Sequence, residues 1–219
     1  LFELVRSTRA RVHLCRISSA AGVELVRAAK AEGLPITCDV SVHNLHLIDV
    51  DLGYFDSRTR LSPPLRQQRD REALRVALAD GTIDALVSDH TPVDDDAKAL
   101  PFAEAEVGAT AVELLLSLSA HWGKKGQGID WLQTLRVLTY GPAQVLGTSL
   151  GTLEASVGRL SVGGMADLCI IHPDAWWTVQ PRALHSQGRH TPFAGQELPA
   201  KVRCTLVGGQ VAFEQEPMV

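Results

Sequence analysis

Three short stretches carry side chains suited to carbonyl chemistry, and each lies where an apolar run gives way to polar residues. The first is His13-Leu14-Cys15-Arg16-Ile17-Ser18-Ser19. Strand alternation would set His13, Cys15 and Ile17 on one face and Leu14, Arg16 and Ser18 on the other. Arg16 then either faces the mouth of a site or serves as a salt-bridged structural arginine. Its charged guanidinium donates hydrogen bonds but offers no lone pair to a metal. The second stretch runs from Asp39 to His46, DVSVHNLH. His43 is a candidate metal ligand through a neutral ring nitrogen, and His46 follows three residues on. A hydrogen-bonded structural histidine is the commoner use of either. The third is Ser88-Asp89-His90-Thr91-Pro92, where an apolar strand runs straight into Asp-His. Asp89 suits a metal ligand or a general base, and equally a cap on the turn that follows. His90 could orient its neighbour or contact a ligand. A hydrolytic zinc centre uses at least three protein ligands plus an open position, and His43 with Asp89 supplies only two. The sequence contains no HxH or HExxH, no Walker A loop and no dinucleotide fingerprint.

The elements that must position these groups alternate. Val12 to Ile17, Pro35 to Ser41 and Ile83 to Val87 read as strands. Between them, Ala21 to Ala31 and Gln68 to Ala79 have helical spacing and end at Gly33 and at Asp80-Gly81. Strands alternating with helices of this length imply βαβ units and a parallel sheet. In such a sheet, functional groups collect where strands end and loops begin. A closed eight-stranded barrel takes about 250 residues, more than the three visible units supply. Residues 94–106 form an acidic loop. Thr110 to His121 reads as a mostly buried helix and Ile129 to Leu138 as another, punctuated by Gly141-Pro142. A short helix then starts at Ala143 to Leu146. The helix at 110–118 and the acidic loop could form a partner surface, or equally barrel wall and solvated loop.

After Gly147 the texture changes to glycine turns. Ala166 to Ile171 is an expected strand, and Val202 to Leu206 with Gln210 to Phe213 an expected hairpin around Val207-Gly208-Gly209. The expected division is therefore 1–147 and 148–219. The chain has 219 residues, 45% hydrophobic and 5% aromatic, with 21 basic against 25 acidic residues and a net charge of -4. That balance gives no footprint for nucleic acid or an anionic membrane. No apolar run approaches a membrane span. Leu1 to Arg6 reads as a helix interior with no signal peptide, so upstream sequence is expected to be missing. None of the four cysteines forms a CxxC pair. They are expected to be buried, reduced thiols of a cytoplasmic protein, with no cysteine metal site.

The ordered segments HLCRISSAAGVELVRAAKAEG, ITCDVSVHNLHL, LSPPLR, ALADGTIDALVSDHTP, GRLSVGGMADLCII, TPFAGQ and TLVGGQVA resemble a dihydroorotase of the long bacterial type. Allantoinases and hydantoinases are more distant relatives. The resemblance implies an α/β fold: the second half of an amidohydrolase-type (β/α)8 TIM barrel, beginning near its fifth strand, plus the C-terminal part of a small β subdomain. It also implies zinc at the C-terminal barrel face, hydrolysis of a cyclic amide in pyrimidine synthesis, and an HxH motif upstream.

Carried over residue by residue, the resemblance makes His43 and Asp89 metal ligands, with Asp89 also the proton-transferring catalytic residue. Arg66, His90, Pro192, Ala194 and Gly195 become substrate-contact candidates. At four positions where the family carries a histidine or an asparagine, this chain carries another residue. Arg16 stands where a ligand histidine is usual, Asn44 where the second histidine of Pro-His-His is usual, Ser62 where an asparagine precedes Pro-Pro-Leu-Arg, and Val93 where a histidine follows Asp-His-Ala-Pro. Arg16 puts a positive charge where a cation belongs. Scaffold motifs persist at Gly158, Gly164, Ala166, Asp167 and Thr191 to Gly195. The pattern resembles a noncatalytic dihydroorotase-like protein that accompanies aspartate carbamoyltransferase, with no cofactor needed. The alternative is an active zinc enzyme whose upstream half supplies HxH and a carboxylated lysine. The partners implied are aspartate carbamoyltransferase, and either the missing N-terminal half or a second copy.

Overall fold

The computed structural model describes residues 1–125 and 129–215. In chain order its helices and strands are α1 (Phe2–Thr8), β1 (Val12–Leu14), α2 (Ala20–Ala31), β2 (Ile36–Ser41), α3 (Val42–His46), α4 (Gln68–Ala79), β3 (Ala85–Val87), α5 (Asp95–Lys98), α6 (Leu115–Lys125), α7 (Trp131–Arg136), α8 (Tyr140–Leu146), β4 (Leu168–Thr178), β5 (Glu197–Val207) and β6 (Gln210–Glu214). Strands β1-β2-β3 form a parallel sheet, with His13 opposite Thr37 and Asp39 opposite Ala85. Strands β4-β5-β6 form a separate antiparallel sheet.

The helices follow from their apolar spacing. Helix α2 starts where the Ser19 side chain accepts from the Gly22 amide, and it buries Val23, Val26 and Ala29 along one stripe. Helix α4 buries Leu74, Ala77 and Leu78, and its buried Asp70 accepts from the Ala20 amide at 2.9 Å, tying the two helices together. Strand β2 is the centre of the parallel sheet. Cys38, Val40 and Ser41 are fully buried, so it reads as a near-continuous apolar run. Gly141 lets α8 lie against the strand layer: a Cβ there would stand 2.1 Å from the Asp84 carbonyl oxygen. Gly141 and Pro142 therefore sit inside the first turn of α8 rather than before it, and a proline is tolerated there.

The core runs from the parallel sheet into the second sheet. Val40, Leu86, Leu114, Leu118 and Trp122 join one buried cluster with Val179, Phe193 and Leu198. Ser117 Oγ donates to the Ala200 carbonyl at 2.7 Å, and Trp177 Nε1 donates to Ser117 Oγ at 3.0 Å. Helix α6 thus packs against the second sheet through Ser117. Asp94, Asp95, Asp96, Glu104 and Glu106 are exposed.

Several sequence expectations need correction. Strand β1 ends at Leu14, not Ile17, because Arg16 takes a left-handed φ of 59°. Its amide donates to Asp39 Oδ1 at 2.7 Å, and the Ile17 amide donates to the Asp39 carbonyl at 2.9 Å. The expected alternation of side chains therefore stops at Leu14. The helix expected from Thr110 begins later, as a 3-10 turn at Val112–Leu114 leading into α6. Thr110 is held instead by its neighbours, its amide donating to the His190 carbonyl and its hydroxyl to the Gly188 carbonyl, both at 2.7 Å. The 94–106 segment holds the short helix α5. It is pinned from beneath by buried Lys98, whose ammonium donates to the carbonyls of Ser57 and Glu106. Strand β4 extends to Thr178, seven residues past its expected end at Ile171, because β5 pairs with it over that length. Cys38 is buried as expected, whereas Cys15 and Cys169 are exposed and Cys204 is half-buried. Cys15 lies beyond the end of its strand, and β4 alternates between outward and half-buried positions.

Candidate active site

The C-terminal ends of β1, β2 and β3 converge as expected of a parallel sheet, and Arg16, His43 and Asp89 meet there. Arg16 leaves β1 in its left-handed turn, and Asp89 leaves β3 in another, with φ of 50°. Both are non-glycine residues in a conformation that costs on the order of 1 kcal/mol, and such residues cluster at functional sites. The two turns aim the side chains at each other. Arg16 Nη1 donates to Asp89 Oδ1 at 3.0 Å and to the Ser62 carbonyl at 2.9 Å. The Asp89 side chain is only 11% exposed, whereas Arg16 is 43% exposed. The buried carboxylate thus has its counter-charge within the chain.

His43 lies on α3, directly after β2, at 1% exposure. Neither ring nitrogen has a hydrogen-bond partner. Burial drives its pKa down to about 4, and the charge of Asp89 opposes that only in part. His43 is therefore neutral at pH 7, the form in which imidazole binds a cation. Its ring stacks on Phe193, with centroids 5.6 Å apart and planes 10° from parallel.

The other candidates are distributed around this centre. Arg66 is exposed, and its Nε donates to Ser18 Oγ at 3.0 Å, linking the turn after Pro64 to the end of β1. His90 is engaged through Nδ1, which accepts from the amides of Ala111 at 3.2 Å and Val112 at 3.3 Å. It caps the turn that leads into α6. Pro192 and Ala194 are half-buried and Gly195 is exposed, in a turn whose Gly195 amide donates to the Val179 carbonyl at 2.8 Å. That turn delivers Phe193 to His43 and His46. Val93 is 5% exposed and packs in the core. His46 Nε2 lies 3.0 Å from the Leu118 carbonyl oxygen. Asn44 donates to the Pro64 carbonyl.

Tested against a zinc ion at Asp89, this donor set does not fit. The orphaned nitrogens of His43 favour a cation. However, His43 and Asp89 are only two ligands, and a fixed guanidinium is already bonded to the carboxylate. Sequence reasoning missed two things here. Phe193 faces His43 from a turn 150 residues downstream, and no local signal announces that. A second cluster also forms beside the site: ligand atoms of His13, Cys15 and Asp39 all lie within 4.8 Å of one another. The His-x-Cys spacing was visible in the sequence, but its approach to Asp39 required the strand register.

A sequence model described as the amidohydrolase family matches residues 3–213. The chain is 41% identical over 211 residues to a dihydroorotase-like protein of Pseudomonas aeruginosa, covering 96% of this chain and 48% of that protein. It is 38% identical over 208 residues to a dihydroorotase of Mycobacterium tuberculosis, covering 95% of this chain and 47% of that one. Among solved structures, a D-hydantoinase from a Thermus species superimposes with a TM-score of 0.88 at 26% identity, over 100% of this chain and 48% of that one. The parallel sheet with its small antiparallel sheet thus matches part of an amidohydrolase barrel and its β subdomain. The chain spans about half the length of the curated relatives it matches.

Proposed function

Since the chain belongs to the amidohydrolase family, we propose that it is a dihydroorotase-like protein of pyrimidine synthesis that does not catalyse ring hydrolysis and acts structurally, as a partner of aspartate carbamoyltransferase in the cytoplasm. One observation carries this reading: the Arg16 guanidinium lies 3.0 Å from Asp89. The guanidinium occupies a carboxylate oxygen that would otherwise face a substrate or a metal, and its permanent charge repels a metal. His90 and Arg66 support it, because each is engaged in holding loops together. The four unpaired cysteines agree with a reducing compartment. No helix among the described residues is long and apolar enough to cross a membrane.

A second reading draws on His43, whose two buried, unpartnered ring nitrogens suit a ligand for zinc. In that reading the chain is part of an active zinc-dependent cyclic amidohydrolase, and residues upstream complete the ligand set. One experiment decides between them. The chain, joined to an upstream barrel half, is assayed for dihydroorotate hydrolysis with added zinc, and for co-elution with aspartate carbamoyltransferase in size-exclusion chromatography. No turnover together with a stable complex supports the structural role. Zinc-dependent turnover that disappears in Asp89→Asn establishes the enzyme reading in its place.

A further inference from the structure

We propose that His13, Cys15 and Asp39 form a binding site for a thiophilic divalent cation such as zinc, using none of the residues of the Arg16–Asp89 pair or His43. Among the described residues these three are a group of potential ligands whose donor atoms all lie within 4.8 Å of one another. They offer nitrogen, sulfur and oxygen, the mixed set that zinc accepts. A tetrahedral zinc site needs donors about 3.3–3.8 Å apart, as follows from its bond lengths. His13 Nε2 and Asp39 Oδ2 stand 2.8 Å apart, so modest side-chain rotation opens the site to that spacing.

The strands build it. His13 lies on β1 and is paired in register with Thr37 on β2. Cys15 follows β1 directly, and its sulfur comes within 4.8 Å of the Asp39 and His13 donor atoms. Asp39 is 6% exposed and anchors the site, whereas Cys15 is exposed and leaves a side open to water. The outer contacts also suit a metal. His13 Nδ1 lies 2.8 Å from Thr37 Oγ1. A ligating histidine uses one ring nitrogen for the metal and donates the other N–H to an outer partner, which fixes ring and tautomer. Asp39 Oδ1 is held by the Arg16 amide at 2.7 Å, leaving Oδ2 for the cation.

The proton balance is simple. Without a metal, Nε2–H donates to Asp39, and Nδ1 accepts from the Thr37 hydroxyl. On binding, the His13 proton resides on Nδ1 and is donated to Thr37 Oγ1, since a hydroxyl serves either role. The Cys15 thiol releases one proton to solvent. Thiolate and carboxylate together then neutralise the divalent charge. Without a metal affinity, the same His13–Asp39 contact is an ordinary hydrogen bond between strands.

Cobalt(II) titration of the chain under anaerobic conditions distinguishes these. The expected result is a sulfur-to-cobalt charge-transfer band that saturates at one ion per chain. Zinc should displace it, Cys15→Ser should abolish it, and His43→Ala and Asp89→Asn should leave it in place. Thr37→Val should weaken binding by about tenfold or more, the usual effect of removing an outer partner. Cys15 is exposed, so Cys15→Ser tests the site without threatening the fold, and circular dichroism checks this. No charge-transfer band at millimolar cobalt, or a band that survives Cys15→Ser, overturns the proposal. Loss of the band in His43→Ala, with the fold intact by circular dichroism, overturns it too, by making His43 one of the ligands. None of these results depends on whether the chain hydrolyses dihydroorotate.

Discussion

The two sheets differ in what surrounds them. In the parallel sheet β2 is buried on both faces along nearly its whole length, whereas β6 in the antiparallel sheet is exposed at every residue. Strand β4 lies between these extremes and alternates. The parallel sheet is where the apolar core and the candidate site side chains coincide. A polar residue there must find a partner or stay an unpaired buried group. Arg16 and Asp89 found each other, whereas His43 did not. On β6 the same side chains would face water.

Paired aromatic truncations put the sharpest strain on this contrast. Phe193 is fully buried against His43, whereas Phe213 on β6 is 37% exposed. Phe193→Ala should cost about 3–5 kcal/mol and Phe213→Ala about 1 kcal/mol or less, read by urea denaturation. Equal losses would mean the second sheet is as tightly packed as the first.

The next largest effect is a pH dependence. His43 is neutral when buried, with its pKa down to about 4 from an ordinary 6.5. The unfolded chain takes up a proton as pH falls through about 6.5, and the folded chain does so only near 4. The stability is therefore complete above pH 6.5 and is lost as pH falls toward 4, by roughly 3 kcal/mol at most. His43→Leu should flatten that slope and be the more stable protein at pH 5. A slope unchanged by the substitution would assign the acid sensitivity to other groups.

Lys98 extends the comparison to the loops. Its ammonium is 2% exposed and donates to the carbonyls of Ser57 and Glu106. Lys98→Met should cost about 1.5–3 kcal/mol and open residues 94–106 to limited proteolysis. Unchanged cleavage would show that α5 holds without its pin. The smallest effect belongs to Arg16→Gln. The guanidinium is nearly half exposed, so its pair with Asp89 should contribute about 1 kcal/mol or less to thermal stability.

Much of the parallel half was legible before any coordinates. The stripe Val23-Val26-Ala29, the stop at Gly33 and the apolar run of β2 each declare their element through short-range spacing. The positions of His43 and Asp89 at strand ends followed from the same reading. The early end of β1 did not. It depends on Asp39, on another strand, accepting from the Arg16 amide. Strand β4 runs longer than its local pattern suggests because five of its eight pairs with β5 lie beyond the first bulge, between Ile171 and Thr178. The exposures of Cys15 and Cys169 were misread because an apolar neighbourhood in sequence does not say which face a residue takes.

The sequence by itself determined the strand–helix order and the positions of His43 and Asp89 at strand ends. Those are matters of residue type and local period. Only the tertiary structure decided that Arg16 bonds to Asp89, that Phe193 stacks on His43, and that His13, Cys15 and Asp39 share one small volume. Each of these joins residues far apart in the chain or on separate strands. Such contacts are set by strand register and by two left-handed turns, and neither leaves a mark in local spacing.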